Sequence, residues 1–166
     1  MSESASVAIS VLPPAKVSAG ERVAFEQMVR EGGEVNPETL PGLIDRALAL
    51  AFAHLDGVLV GVGAIKRPHE SHRNDVFKWA KAELDSTQFK FELGWVFINE
   101  SGRNRRLASR LVGELMPALY GTPVYATSRV NNNRMHSSLK RFGFKRIGVP
   151  YPSKQNQPAI QLFVCT

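Results

Sequence analysis

The chain has little cysteine and no uninterrupted apolar run long enough to cross a membrane. Its single cysteine, Cys165, excludes a disulfide framework and a cysteine-rich metal site. The most apolar stretch, residues 47–65, is interrupted by His54 and Asp56 and falls short of the about 20 apolar residues that a membrane span needs. The N-terminus carries Glu3 where a secretory signal has a basic region. We therefore expect a cytoplasmic protein with no membrane partner.

Length and composition fit one globular domain. The chain has 166 residues, 43% of them hydrophobic, which is enough to bury a sizeable core. It contains no repeat, no low-complexity tract and no internal linker rich in proline, glycine or serine. We predict a single domain over residues 1–166, with residues 1–6 disordered.

The positive charge of the chain is concentrated in one block. The formal net charge is +6 and the sequence pI is about 9.8, which is typical of proteins that bind nucleic acid. Residues 100–146 hold ten Lys and Arg against two Glu, whereas the remainder holds eleven Lys and Arg against thirteen acidic residues. This cationic block predicts an anionic ligand that binds at one place.

Local patterns predict alternating helices and strands. Ser18 and Glu21 form a capping-box pattern that opens a helix, Asp56-Gly57 is a hairpin signal, and Gly143 stands where a helix ends. We expect strands over residues 7–12, 48–55, 58–66, 89–98, 124–130, 144–149 and 159–164, and helices over residues 18–30, 39–47, 76–84, 105–120 and 132–142. The order β-α-α-β-β-(α)-β-α-β-α-β-β predicts a mixed-sheet α/β domain.

The cationic block begins with the end of a strand, a short polar loop and a helix. Residues 98–111 read INESGRNRRLASRL, with four arginines within eight residues. The first turn of a helix has free N–H groups and the positive end of the helix dipole, which together favour an anion. Arg103, Arg105 and Arg106 would add donors suited to phosphate, and Ser109 would add a hydroxyl. A solvated basic helix face is the alternative, and the charge pattern alone leaves both open.

The loop resembles the acetyl-coenzyme A loop of the GNAT N-acetyltransferase superfamily. That family has the pattern Arg/Gln-x-x-Gly-x-Gly/Ala after a strand, and this chain has Arg103-Asn104-Arg105-Arg106-Leu107-Ala108. Ile98 takes the place of the hydrophobic residue that ends the family's fourth strand. The chain departs from the pattern at Arg106, where the family has a glycine that lets the backbone approach the pyrophosphate.

A second motif of the same family follows downstream. The family places Asn-x-x-Ala-x-x-x-Tyr on the next helix, then Gly-Phe at the start of a strand. This chain has Asn132 and Gly143-Phe144 at the matching positions, with Met135 for the alanine and Leu139 for the tyrosine. That tyrosine often protonates the departing coenzyme A thiolate in the family. The groups left for this proton are Ser137, Ser138, Tyr125 or a water molecule.

The resemblance implies a fold, a reaction and a set of binding residues. The fold would be a mixed, mostly antiparallel sheet of about six or seven strands flanked by helices. The reaction would be acetyl transfer from acetyl-CoA to a primary amine, by direct attack in a ternary complex and without a metal. The acceptor would be either a small molecule or a macromolecule. The residues implied to bind coenzyme A are Val96, Ile98, Arg103, Asn104, Arg105, Arg106, Leu107, Ala108, Ser109 and Asn132.

Glu92 is the candidate general base. It lies on an otherwise apolar predicted strand, six residues before Ile98, where burial would tune it for proton transfer. Some members of the resembled family use a glutamate at this offset, usually through water. The alternatives are a solvent-facing carboxylate and a partner for a nearby lysine. Gly94 on the same strand predicts a bulge, and the resemblance implies that the backbone of Gly94, Trp95 and Val96 faces the thioester.

Neither a metal site nor a defined assembly follows from the sequence. His69 and His72 lie three residues apart in a predicted loop and lack a third ligand. Two other functions stay open: a domain that binds coenzyme A without catalysis, and a nucleic-acid-binding module that uses the cationic block. Edge strands near the C-terminus would allow a homodimer, although no sequence feature requires one.

Overall fold

The structure, a computed structural model, describes residues 5–33, 35–154 and 156–166. Within these residues the strands are β1 (Val7–Leu12), β2 (Ala49–Leu55), β3 (Val58–Lys66), β4 (Phe91–Ile98), β5 (Val124–Arg129), β6 (Lys145–Tyr151) and β7 (Ile160–Cys165). The α-helices are α1 (Ala19–Glu31), α2 (Leu40–Arg46), α3 (Glu70–Trp79), α4 (Leu107–Leu115) and α5 (Asn133–Arg141). None of the described helices is long and apolar enough to cross a membrane.

The strands form one mixed, mostly antiparallel sheet, which confirms the predicted fold class. Its order is β1-β2-β3-β4-β5-β7-β6. Strands β4 and β5 pair in parallel, while the other neighbouring pairs are antiparallel. The parallel pair meets at only two register positions, Phe91 with Val124 and Glu92 with Tyr125. Beyond Glu92 the two strands separate, and the sheet opens on one side of that residue.

Helices cover both faces of the sheet. Helices α4 and α5 pack on one face through residues such as Leu111 and Leu139, against the side of β2 that carries Ala51. On the opposite face, α1 and α2 pack against Phe52 and its neighbours, and α3 packs against β5 around Tyr125. The alternation of Ala51 and Phe52 between the faces follows from the two-residue period of a strand.

Several local predictions are confirmed by the contacts that hold each element. At the start of α1, the Glu21 N–H donates to Ser18 Oγ at 3.2 Å and the Ser18 N–H donates to Glu21 Oε1 at 3.1 Å. The hairpin between β2 and β3 turns at Asp56 and Gly57, with φ of 50° and 82°. These values match a type I′ turn, which suits the twist of a hairpin. Gly143 follows α5 with φ of 90°, as a residue after a helix C-terminus often does.

Three predicted elements have wrong boundaries. The helix expected over residues 76–84 runs over Glu70–Trp79, and Lys81, with φ of 54°, lies just beyond its end. The helix expected over residues 105–120 begins at Leu107, because Arg106 has left-handed φ and ψ of 56° and 31°. It ends at Leu115, where a 3-10 turn containing a proline follows. Phe89 precedes β4 instead of opening it, since it ends a 3-10 turn and is buried.

The N-terminal segment begins its contacts before β1. The Ser6 N–H donates to Asp56 Oδ1 at 2.9 Å, and the Ser6 carbonyl accepts from the Asp56 N–H at 2.8 Å. Disorder was expected for residues 1–6. Of these, residues 1–4 lie outside the described residues.

Candidate active site

A bulge in β4 creates the cleft at the centre of the sheet. The β3–β4 register shifts between Val62 and Ala64, where Trp95 and Val96 stand opposite one residue of β3. Trp95 adopts a φ of 55°, so the strand bends there. The predicted bulge is therefore present, one residue beyond Gly94.

The cleft lies where β4 and β5 separate. It has a volume of about 350 Å³, and its walls include Lys66, Glu92, Val96, Ser128 and Asn132. Because β4 makes no ladder with β5 beyond Glu92, backbone polar groups on that edge of β4 face the cleft instead of a neighbouring strand. At about 3.3 Å per residue, β4 carries the chain about 20 Å from Glu92 to its end. The cleft thus suits an elongated ligand that lies along the strand.

Glu92 is buried in the cleft and paired with a lysine. Only 4% of the residue is exposed, and Lys66 Nζ donates to its Oε1 at 2.5 Å. The pairing follows from the register, in which Lys66 at the end of β3 stands opposite Glu92 near the start of β4. Lys66 Nζ also lies 4.8 Å from the centroid of the Trp95 ring, so a cation–π contact adds to the ion pair.

Gly94 leaves the space that this ion pair occupies. A Cβ at this position would lie 2.8 Å from Lys66 Cδ and 3.5 Å from Glu92 Oε1. Its φ is not in the left-handed region, because that conformation falls on the next residue, Trp95. The strand glycine therefore serves close packing of side chains rather than backbone conformation.

Two buried tyrosines lie near the Glu92 carboxylate. Tyr125 stands opposite Glu92 in the β4–β5 register and is fully buried, and Tyr151 is 6% exposed. Burial raises the pKa of the Tyr125 hydroxyl above its usual range, and the nearby charge of Glu92 raises it further. The pKa of Tyr151 is raised by the same two causes, with burial again the larger. Both hydroxyls therefore stay protonated at neutral pH.

The basic loop ends at an uncapped helix N-terminus. Arg103, Arg105 and Arg106 are exposed, and none forms an ion pair with a described carboxylate. Arg106 is the N-cap of α4 and its side chain makes no capping hydrogen bond. The first N–H groups of the helix, from Leu107 to Ser109, have no intrahelical acceptor. This end of the site presents donors and positive charge without an acceptor.

Arg106 adopts the backbone conformation that glycine favours. Its φ of 56° is in the left-handed region, as is the φ of 65° at Asn104. The resembled family has glycine at the position of Arg106. The backbone at this position thus has a conformation that glycine adopts more readily than arginine does.

The other predicted binding residues fall into two groups. Val96 and Asn132 line the cleft, and Asn132 Oδ1 caps α5 by accepting from the Met135 N–H at 3.1 Å. Ile98 instead packs beneath Gly61 and Gly102, where a Cβ would lie 2.6 Å and 2.9 Å from its methyl groups. Leu107 is buried, so only its backbone groups can face a ligand, whereas Ala108 is half-buried. Ser109 Oγ lies 2.7 Å from Ser138 Oγ and thus bridges α4 to α5.

A core leucine, Leu139, stands where the resembled family has a tyrosine. Leu139 is fully buried and packs in the cluster beneath α4. Ser138 is 5% exposed and hydrogen-bonded both to Ser109 and to the Arg134 carbonyl at 3.2 Å. Ser137 is exposed and lines a separate groove. Tyr125 is the one of the three named hydroxyls that lies close to Glu92.

Sequence reasoning missed four polar residues of the cleft, which are Lys66, Thr127, Ser128 and Arg129. Lys66 was the last residue of an apolar predicted strand, and its polarity was the available signal. Ser128, 7% exposed, lines the cleft from β5, and its buried hydroxyl has no hydrogen-bond partner among the described residues.

The histidines do not gather into a metal site. His69 is the N-cap of α3, and its Nε2 lies 3.2 Å from Arg46 Nη1. Across the described part of the chain there is no group of three His, Cys, Asp or Glu side chains that could hold a metal ion.

Comparison with solved structures identifies the architecture. An N-acyl amino acid synthase from uncultured soil microbes aligns with a TM-score of 0.72 at 15% identity, over 98% of this chain and 91% of that chain. An acyl-CoA N-acyltransferase from Pseudomonas aeruginosa aligns with a TM-score of 0.65 at 16% identity, over 97% and 100%. The chain has the GNAT fold.

A third solved structure of this fold is the ribosomal-protein-S18-alanine N-acetyltransferase from Escherichia coli. It aligns with a TM-score of 0.67 at 12% identity, over 96% of this chain and 93% of that chain. At the level of sequence, the chain matches no protein-family model and no curated protein. The likeness thus lies in the architecture of the GNAT fold and includes little of the sequence.

Proposed function

We propose that the protein transfers an acyl group, acetyl in the simplest case, from acyl-coenzyme A to a primary amine. The observation that carries this proposal is the cleft between β4 and β5, with a buried carboxylate at one end of β4 and an uncapped cationic helix terminus at the other. The GNAT fold of known acyltransferases supports it. The acceptor is defined only as an amine, either a small molecule or a group on a macromolecule.

The loop end of the site fits the diphosphate of coenzyme A. The N–H groups at the start of α4 and the guanidinium groups of Arg103, Arg105 and Arg106 are the donors that such an anion needs. None of these three arginines pairs with a described carboxylate. The open edge of β4 and the unpartnered Ser128 hydroxyl offer hydrogen bonds along the cleft. When bound, acyl-coenzyme A would supply an activated thioester, whose acyl group passes to the amine nitrogen as the carbon–sulfur bond breaks.

At the other end, Glu92 would receive the proton that the amine loses on attack, directly or through water. Lys66 holds the carboxylate in place by its hydrogen bond, and Gly94 keeps the space open. Tyr125 is a poor source for the proton of the departing thiolate, because burial raises its pKa. Water that enters through the cleft is the better source.

Thermal unfolding in the presence of acetyl-CoA, followed by turnover measurements, tests the proposal. A ligand at about 100 times its Kd stabilises a protein by about 2.7 kcal/mol. Release of coenzyme A thiol would then be followed with a panel of amines. For an accepted amine, we expect Glu92→Gln to lower kcat by about 10²- to 10⁴-fold while the acetyl-CoA shift is retained. Absence of any shift at millimolar acetyl-CoA contradicts the proposal, and an unchanged rate and pH profile removes Glu92 as the base.

A coenzyme-binding domain without catalysis is the second candidate. It is favoured by Leu139, which is buried where the family has a tyrosine, and by the engagement of Glu92 with Lys66. This candidate predicts the same acetyl-CoA shift. It differs in that no amine would be acylated faster than in the Glu92→Gln variant.

A further inference from the structure

The C-terminal third of the chain contains no acidic residue. From residue 115 to residue 166 there is no Asp or Glu, although the segment has seven cationic residues. They are Arg129, Arg134, Lys140, Arg141, Lys145, Arg146 and Lys154. A coenzyme site at the loop of residues 99–106 does not account for these charges, which belong to β5, α5, β6 and the segment after β6.

Three of these cations line a groove between α5 and the edge strand β6. The groove has a volume of about 580 Å³ and is lined by His136, Lys140, Lys145 and Arg146, over a floor that includes Phe163. The side chains of Lys140, Lys145 and Arg146 belong to exposed residues, and none forms an ion pair with a described carboxylate. No carboxylate in the described part of the chain therefore pairs with the positive charges of the groove.

Helix α5 separates this groove from the proposed coenzyme site. On one side of the helix, Ser138 is hydrogen-bonded to Ser109 of α4. On another side, the His136 ring lies 5.0 Å from the Phe163 ring of β7 and contacts Arg146 of β6. None of the residues that line the groove also lines the β4–β5 cleft. The groove and the cleft are therefore lined by different residues.

His136 positions the guanidinium of Arg146. The Nε2 of His136 lies 2.8 Å from the Arg129 carbonyl, which can only accept, so Nε2 carries the proton and donates. Nδ1 is then free to accept from Arg146 Nη2, at 3.1 Å. Arg146 also lies over Phe163, with its Cζ 5.9 Å from the ring centroid. An arginine held by a neutral ring and an aromatic face keeps its charge available to a ligand.

We propose that this groove binds the phosphodiester backbone of a nucleic-acid strand. A guanidinium fork fits two oxygens of a phosphate, and the lysines add point charges beside it. The partly exposed His136 ring at the groove wall offers a face on which a base can stack. The combination of cations with an aromatic ring favours a nucleic acid over an acidic peptide, and the length of the acid-free segment favours a polymer over a single anion.

Fluorescence anisotropy with a labelled single-stranded RNA of about 12 nucleotides tests this proposal on the full-length protein. The variant is Lys140→Ala with Arg146→Ala, and the matched control, Lys16→Ala with Lys78→Ala, removes two exposed cations elsewhere. We expect the groove variant to weaken binding at least about 10-fold and to reduce the slope of log K against log salt by about 1.4. The control should weaken binding less than about 2-fold.

Competition experiments separate this site from the coenzyme site. Saturating acetyl-CoA should leave RNA binding unchanged, and Arg103→Ala with Arg105→Ala should impair acetyl-CoA binding far more than RNA binding. A DNA strand that binds as well as RNA supports the same phosphodiester site without a role for the 2′-hydroxyl. The proposal is overturned if the RNA does not bind, if the control loses as much affinity, if acetyl-CoA displaces the RNA, or if polyglutamate of equal length binds as tightly.

Discussion

The two ends of β4 differ in how their charges are placed. At the Glu92 end, a buried carboxylate is paired with the partly buried Lys66, whose Nζ lies 2.5 Å from it. At the loop end, Arg103, Arg105 and Arg106 are exposed and have no described carboxylate partner. A buried charge without a partner is costly, whereas exposed like charges cost little because water solvates them.

We therefore expect the ion pair at the Glu92 end to stabilise the fold, and the exposed arginines of the loop to act in ligand binding. Removing one member of the buried pair should change stability, because the other member would be left without compensation. Removing an exposed arginine should change ligand binding and leave stability nearly unaffected.

The largest effect is expected for Lys66→Met. The change leaves the Glu92 carboxylate buried without its partner, so the free energy of unfolding should fall by about 3–5 kcal/mol. Urea unfolding at neutral pH measures it. The double variant Lys66→Met with Glu92→Gln is the control, because removal of both charges should recover much of the loss. A single variant as stable as the parent would show that the pair does not compensate a buried charge.

The next effect concerns the exposed arginines. Arg103→Ala and Arg105→Ala should each weaken acetyl-CoA binding by about 10- to 100-fold, since hydrogen bonds to charged groups contribute about 1.5–3 kcal/mol. Their free energies of unfolding should stay within about 0.5 kcal/mol of the parent. Isothermal titration calorimetry measures the affinity for acetyl-CoA, and urea unfolding measures the free energy of unfolding. Unchanged affinity in both variants would mean that the loop does not hold the coenzyme.

Alkaline pH should destabilise the Glu92 end. The pKa values of Tyr125 and Tyr151 are raised in the folded protein, so the folded state keeps protons that the unfolded chain loses above about pH 10. Each tyrosine should therefore lower the free energy of unfolding by about 1.4 kcal/mol per pH unit above that point. In the Tyr125→Phe variant, the free energy of unfolding should fall less steeply between about pH 9 and pH 11. Tyr120→Phe, at a residue 94% exposed, should not alter this slope. Equal behaviour of the two variants would argue against burial as the cause.

The smallest effect is expected for the backbone of the loop. Because Arg106 has a left-handed φ of 56°, a residue with a Cβ is strained there by about 1–2 kcal/mol. Arg106→Gly should therefore be more stable than Arg106→Ala, which loses the same side chain but keeps the strain. Part of the gain is offset by the greater freedom of glycine in the unfolded chain. If thermal unfolding gives the alanine variant the higher Tm, strain at this position is not significant.

Local signals in the sequence were sufficient for much of the fold. The capping box at Ser18, the hairpin at Asp56-Gly57 and the glycine after α5 depend on residues within a few positions of one another. Such short-range patterns have a direct mechanism in backbone geometry. The start of α4 was harder to predict. Arginine has a high helix propensity, so residue type alone places Arg106 inside the helix, whereas it adopts a left-handed conformation before the first turn.

The candidate site could be located from the sequence, but the ion pair between Glu92 and Lys66 could not be predicted. Glu92 stood out as a charge on an apolar strand, whereas its contact with Lys66 depends on a β3–β4 register that is shifted by the bulge at Trp95. A shift of one residue exchanges the faces of a strand, so the partner of a strand residue cannot be read from its spacing. The unpartnered hydroxyl of Ser128 depends in the same way on the separation of β4 from β5.

A crystal structure of the protein with acetyl-CoA would show where the coenzyme binds. We expect the diphosphate to lie against the N–H groups at the start of α4, within reach of Arg103 and Arg105. We also expect the thioester to lie beside the open edge of β4, near Trp95 and Val96, with Glu92 at that end of the cleft. Density for the coenzyme in the groove between α5 and β6, with the β4–β5 cleft empty, would contradict both expectations.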